Sequence, residues 1–221
     1  MKPVLLINLK TYDEGTGDKA VLIANAADSL ASESGVEIIL AAQPADIRMI
    51  SQRVRIPVFA QHVDPVKFGS STGWILPESV RAAGAKGTLL NHSERRIDYE
   101  TLKKSIARCR EAGLRTVACA ETPAKAGEIA SLGPDYIAIE PPELIGGDVS
   151  VSKARPEVIA QSVKRVNSVA RIPVLCGAGV KDGSDVKKAI ALGAKGILVA
   201  SGVVKAADPE KAIKELLEGF G

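Results

Sequence analysis

Glycine sets the rhythm of this chain. Amphipathic stretches end in glycine ahead of a short apolar run: Gly35 before VEIIL, Gly84 before AKGTLL, Gly113 before LRTVAC, Gly133 ahead of DYIAI, and Gly193 before AKGILVA. Glycine just past a helix end is a common stop, because it takes up left-handed backbone at little cost. Two more runs open on the same word, RIPVF from Arg55 and RIPVL from Arg171. Proline is tolerated there because the first residue of a strand gives up no ladder donor.

Read this way, the chain has about eight strand candidates, beginning at Val4, Val36, Pro57, Gly87, Arg115, Tyr136, Pro173 and Gly196. Helical stretches separate them, clearest from Asp18, over Leu102 to Ala112, over Pro156 to Val169, and from Asp208, where Asp is the N-cap and Pro209 the first helical residue. Alternating βα units imply parallel strands joined by right-handed crossovers. Eight of them suggest a single closed (β/α)8 barrel over residues 1–221. The chain falls short of the ~250 residues usual for that fold, so some helices must be brief. The third unit is thinnest, since HVDPVKFGSSTGWILPE reads mostly as loop. The competing architecture is an open doubly wound sheet; the absence of GxGxxG after the first strand weighs against it.

Composition narrows the function. The net charge is only +3 and the basic residues are scattered, whereas a nucleic-acid surface needs a concentrated basic stripe. Aromatics make up 3%, so the core must rest on aliphatic side chains. The three cysteines, Cys109, Cys119 and Cys176, do not make a disulfide framework, and the expectation is a reduced, cytoplasmic protein. MKPVLLINLK lacks the apolar length of a signal peptide, and no run approaches the roughly 20 apolar residues of a membrane span. Clustered metal ligands are missing from the sequence, so neither metal nor cofactor is expected.

In a barrel of this kind function sits at the C-terminal ends of the strands. The first strand ends with Asn8 and Lys10, which period-two alternation puts on one face with Leu6. They are either an anion anchor with an orienting amide or a lysine reaching solvent. The fourth strand ends in Asn91-His92-Ser93-Glu94, where His92 is either a working imidazole held by Ser93 or Glu94 or a structural one. His62, after the third strand, reads as structural. The sixth strand ends on Glu140, followed by Pro141-Pro142, an apolar tip Leu144-Ile145 and Gly146-Gly147. A carboxylate followed by a stiff and then loose loop suggests a base with a lid. Glycine-rich turns close the seventh and eighth units, Cys176-Gly177-Ala178-Gly179 and Ala200-Ser201-Gly202, where many barrels hold phosphate on backbone amides. Together these parts describe proton abstraction next to a carbonyl, with an imidazole and a lysine stabilising the enediolate and the lid excluding water.

Asn8-x-Lys10, the run TGWILPESVRAAGAKGTLLNHSERR ending at Arg96, and IEPPELIGG from Ile139 to Gly147 also carry a resemblance. Across essentially its whole length the chain resembles triosephosphate isomerases, and more closely their short archaeal-type branch. The resemblance implies a TIM barrel that interconverts dihydroxyacetone phosphate and D-glyceraldehyde 3-phosphate without cofactor. It implies Glu140 as base, His92 and Lys10 as electrophiles with Asn8 beside them, and Ile145 and Gly146 as the tip closing on substrate. Phosphate would fall to Gly177, Gly179, Ala200, Ser201 and Gly202. It further implies a homodimer or homotetramer in which the loop from Phe68 to Trp74 enters a neighbour, with Thr72 near the partner's site. Longer family members carry Tyr-Gly-Gly-Ser after strand seven and Gly-Gly after strand eight; here Cys176-Gly177-Ala178-Gly179 and Ala200-Ser201 stand instead. Two other classes remain in view. An aldolase would need a lysine buried within a strand, and Lys86 and Lys195 lie at strand starts. A non-catalytic phosphate-binding scaffold would be expected to have lost Lys10, His92 or Glu140.

Overall fold

The computed structural model describes residues 1–141 and 154–221. Eight parallel strands close into a barrel in sequence order: β1 Val4–Asn8, β2 Glu37–Ala42, β3 Val58–Ala60, β4 Gly87–Leu90, β5 Arg115–Ala120, β6 Tyr136–Ile139, β7 Val174–Gly177 and β8 Gly196–Val199. The seam is made by β1 against β8, with Val4 opposite Gly196. All eight sequence candidates are strands, trimmed by a residue or so at their ends, and the open sheet is excluded.

Alternation along the strands divides the core in two. Val4, Leu6, Ile39, Phe59, Leu89, Val117, Tyr136, Leu175 and Leu198 fill the lumen. Their neighbours Leu5, Ile7, Ile38, Leu40, Leu90, Ile137 and Ile197 pack outward under the helices. A strand buried on both faces reads as a continuous apolar run, which is why the strand segments stood out. At the lower end of the lumen the Arg115 guanidinium lies 5.1 Å from the centre of the Phe59 ring. It also bonds Glu37 at 2.8 Å. Gly87 leaves room for that ring, since a Cβ there would stand 2.5 Å from it.

The helices among the described residues are α1 Gly17–Ala31, α2 Ile47–Ser51, α3 Pro77–Ala82, α4 Tyr99–Glu111, α5 Pro123–Ala130, α6 Pro156–Asn167, α7 Gly183–Ala191, α8 Ser201–Val204 and α9 Pro209–Glu218. Shortening falls on α2, α3 and α8, and the third unit is mostly loop as expected. Helix α4 starts three residues before the sequence reading, because the Asp98 side chain caps it by accepting the Thr101 amide at 2.9 Å. Asp208 caps α9 in the same way through the Lys211 amide. The five glycines that punctuate the sequence all have positive φ, from 67° at Gly35 and Gly133 to 111° at Gly84.

Candidate active site

Among the described residues, the upper rim of the barrel holds three that are not glycine yet have positive φ: Lys10 at 50°, Asn91 at 56° and Ala178 at 79°. Each follows the end of a strand, β1, β4 and β7. Left-handed backbone costs a residue with a Cβ roughly 1–2 kcal/mol, and such strain concentrates where side chains are being aimed.

At Lys10 the strain is held by two side chains. Asn8, buried at the end of β1, accepts the Lys10 amide on Oδ1 at 3.0 Å. Gln61 donates from Nε2 to the Lys10 carbonyl at 2.8 Å. The Lys10 ammonium then reaches Glu94 Oε1 at 2.7 Å. Asn8 shares a face with the lumen residues, as alternation requires. Lys10 lies beyond the strand, so the left-handed turn rather than the alternation brings it to the site.

Asn91 shapes the next loop by donating to the Cys119 carbonyl and accepting the Ile97 amide. This places His92 over the lumen, buried. The Glu94 amide donates to His92 Nδ1 at 3.2 Å, so in the neutral ring the proton sits on Nε2. That nitrogen lies 3.3 Å from Glu140 Oε1. The pair is close but not aligned for a hydrogen bond, and neither His92 Nε2 nor Glu140 Oε2 has a partner among the described residues. Buried polar atoms are nearly always paired, so an orphan on each of two neighbouring side chains marks a place built for another molecule.

The two groups shift each other. Burial by itself would raise the Glu140 pKa; contact with His92, the Cys119 thiol and the Lys10 charge more than offset it and hold the carboxyl below its ordinary range. Burial disfavours a charged His92, but the Glu140 carboxylate and, behind it, Glu94 outweigh that and raise the imidazole pKa. Burial, and then the Glu140 charge, drive the Cys119 thiol well up, so it stays protonated beside the carboxylate.

Two cavities open onto this rim. One, of about 440 Å³, is lined by Asn8, Lys10, Gln61, His92, Glu94 and others. The second, of about 370 Å³, is lined by Lys10, Glu140, Gly179, Ala200, Ser201 and Gly202 among others. Lys10 and Tyr12 line both. The amides at the start of α8 have no carbonyl behind them in the helix, as at any helix N-terminus, and are suited to an anion.

Of the residues singled out in the sequence, Asn8, Lys10, His92, Glu140, Gly179, Ala200, Ser201 and Gly202 come together here. Gly177 does not line either cavity. It is buried at the end of β7 behind Glu140, and a Cβ there would stand 2.7 Å from Glu140 Cγ. A residue without a Cβ at this position leaves room for the carboxylate. Ile145 and Gly146 lie outside the described residues. His62 pairs with Asp64 at 3.0 Å, and Asp64 in turn accepts the Ile75 amide at 2.7 Å, closing the neck of the third loop. Burial lowers the His62 pKa. Gln61 and Tyr12 escaped the sequence reading, and Asn91 was read only as part of the strand end that carries His92; their signal was a polar side chain within a few residues of a strand end. Among the described residues no cluster of His, Cys, Asp or Glu could hold a metal, and no helix is long and apolar enough to cross a membrane.

Comparison with known proteins adds an independent line. A family model for triosephosphate isomerase matches residues 3–216. The triosephosphate isomerase of Methanocaldococcus jannaschii is 47% identical over 216 residues, covering 97% of this chain and 99% of that protein. That of Methanoculleus marisnigri is 49% identical over 216 residues, 97% of each chain. That of Methanothermus fervidus is 44% identical over 217 residues, 98% of each.

Proposed function

The chain belongs to the triosephosphate isomerase family, and on that premise we propose how the barrel rim carries out the reaction. The enzyme interconverts dihydroxyacetone phosphate and D-glyceraldehyde 3-phosphate, a step of glycolysis. The observation that carries the assignment of roles is the facing pair, Glu140 and His92, each with an unpartnered polar atom, on cavities that Lys10 also lines.

Glu140 is the base. Held ionised and buried, its carboxylate removes a proton from the carbon next to the substrate carbonyl. As that C–H bond breaks, the electron pair moves into a C–C double bond and the carbonyl oxygen becomes an enediolate oxygen. His92 donates a hydrogen bond from Nε2 to that oxygen, and Lys10 adds a positive charge nearby. Donors fixed in a site with little water stabilise developing charge without having to reorganise. Glu140 then returns the proton to the neighbouring carbon. The phosphate lies in the second cavity, where the amides of Gly179, Ser201 and Gly202 and the Lys10 charge favour a dianion. Asn8 fixes the Lys10 backbone.

The same reading makes residues 1–221 one catalytic domain and the protein cytoplasmic, consistent with free, buried Cys109, Cys119 and Cys176. It also makes the protein a homo-oligomer through the third loop. Phe68 and Trp74 are 76% and 57% exposed there, with Thr72 between them, and large apolar side chains so exposed suit a surface covered by another subunit.

The roles are tested by replacing the base. Glu140→Gln should cut turnover of glyceraldehyde 3-phosphate by roughly 10²–10⁴ while the circular dichroism spectrum stays native. A mutant turning over at nearly the normal rate would remove Glu140 from the mechanism.

A further inference from the structure

Four consecutive residues after β7, Ala178, Gly179, Val180 and Lys181, line the second cavity together with Ala200, Ser201 and Gly202. Two of the four carry left-handed backbone in succession, Ala178 at φ 79° and Gly179 at 69°. Glycine takes up that conformation readily, but alanine is strained in it, and such strain persists only where the surroundings over-determine it. Some contact must therefore hold this segment in shape, and a buried side chain outside the cavity supplies one.

Asp185 stands in the first turn of α7, 2% exposed, and lines neither rim cavity. Its Oδ2 accepts the Lys181 amide at 3.0 Å. Its own amide donates to Asp182 Oδ1, also at 3.0 Å, so the carboxylate is anchored on the capped start of the helix. The Lys181 N–H and the Val180 carbonyl belong to one peptide, and in a planar trans peptide they point in opposite directions. The carbonyl side of that peptide packs close to α8, for a Cβ added to Gly202 would stand 3.3 Å from the Val180 oxygen. One peptide is thus held by a carboxylate on α7 through its N–H and confined by α8 at its oxygen. A hydrogen bond to an ionised acceptor is roughly twice as strong as a neutral one. The orientation of this peptide sets how the amides just before it face the cavity.

We propose that Asp185 is a positioning residue for the phosphate grip: its carboxylate fixes the Val180–Lys181 peptide, and through it residues 178–181, in the shape that receives the substrate's phosphate. The inference deepens the placement of phosphate in the second cavity given above and rests on it. It makes a specific demand. Asp185 serves the phosphorylated end of the substrate and leaves the reacting end, where Glu140 and His92 work, as it is. A residue that only capped α7 would affect both ends alike or neither.

The test sets two substrates side by side on the full chain: glyceraldehyde 3-phosphate, with 2-phosphoglycolate as competitive inhibitor, and D-glyceraldehyde, which keeps the reacting carbons and lacks the phosphate and is followed by deuterium exchange from solvent. Asp185→Ala should raise KM for the phosphorylated substrate and the inhibition constant of 2-phosphoglycolate at least about tenfold, as loss of a charge-assisted hydrogen bond implies. Exchange into D-glyceraldehyde should stay within about twofold of the wild-type rate, because the reacting end is untouched. Asp185→Asn, whose amide oxygen still accepts from Lys181, should keep the wild-type inhibition constant. Unchanged constants in a folded Asp185→Ala, equal losses on the two substrates, or an Asp185→Asn as impaired as Asp185→Ala would overturn the proposal. Should Asp185→Ala fail to fold, Asp185→Leu, similar in shape and without an acceptor, decides it by the same readouts. Ser201→Asp tests the underlying reading separately, since a carboxylate within the cavity should abolish inhibition by 2-phosphoglycolate. Inhibition that survives Ser201→Asp would sink the placement of the phosphate itself, so the two failures are distinguishable.

Discussion

Gly177 and Glu140 occupy one space between them: a single carbon added to Gly177 would stand 2.7 Å from Glu140 Cγ and 3.3 Å from its Oε1. The end of β7 is thus shaped around the side chain at the end of β6. Gly177→Ala should push the carboxylate off its line to the substrate. A misplacement of about 1 Å can cost 10²-fold in rate, whereas the added methyl costs about 1–3 kcal/mol of stability. The expected result is a folded protein with kcat down by roughly 10²-fold, read from steady-state kinetics beside a thermal melt.

His92 offers a spectroscopic check. When the ring is neutral, nitrogen NMR should find it bare at Nδ1, where the Glu94 amide donates, and protonated at Nε2. Because the Glu140 carboxylate raises the His92 pKa, Glu140→Gln should move the His92 titration to lower pH. A titration that stays put would mean the two groups do not sense each other.

Lys10 is held by Asn8 and Gln61 and faces both cavities. Lys10→Met removes a fixed charge from the developing oxyanion and from the phosphate. Losing one such stabilising group typically costs about 10²–10³ in rate. Here KM should rise as well, as the same charge serves both ends of the substrate. A change confined to kcat would limit Lys10 to the reacting end.

Asp28 ties α1 to the start of β3. Its Oδ1 accepts the Arg55 and Ile56 amides at 2.8 and 3.0 Å, and its Oδ2 accepts from Arg55 Nε at 3.2 Å. Burial alone would raise this carboxyl, but the amides and the guanidinium outweigh it and hold its pKa down. A folded-state pKa below the unfolded one stabilises the protein above the unfolded value, about 3.9 for Asp, and the benefit is lost as pH falls through the folded value. Asp28→Ala should therefore cost about 2 kcal/mol at pH 7 in urea denaturation, and markedly less near pH 3.

The third loop makes a prediction about assembly. Trp74→Glu should shift the mass measured by light scattering toward that of one chain, with activity falling alongside it. An unchanged mass would exclude this loop as the contact between subunits.

Much of this molecule could be read in its residues. The eight strands, their parallel order and the barrel follow from local rules: glycine where left-handed backbone ends a helix, Asp or Thr as N-caps, and apolar runs long enough for a strand buried on both sides. Lys10, His92 and Glu140 could be named because a barrel concentrates chemistry at its strand ends, and those positions can be counted along the chain. Three-dimensional packing decided the rest. No spacing in the sequence shows that Gly177 leaves room for Glu140, that Gln61 braces Lys10 in left-handed backbone, or that the Lys205 charge lies over Tyr12. Those pairs are far apart in the chain or on different strands. They meet because closure of the barrel sets neighbouring strand ends side by side, and only packing determines which atoms share the space between them.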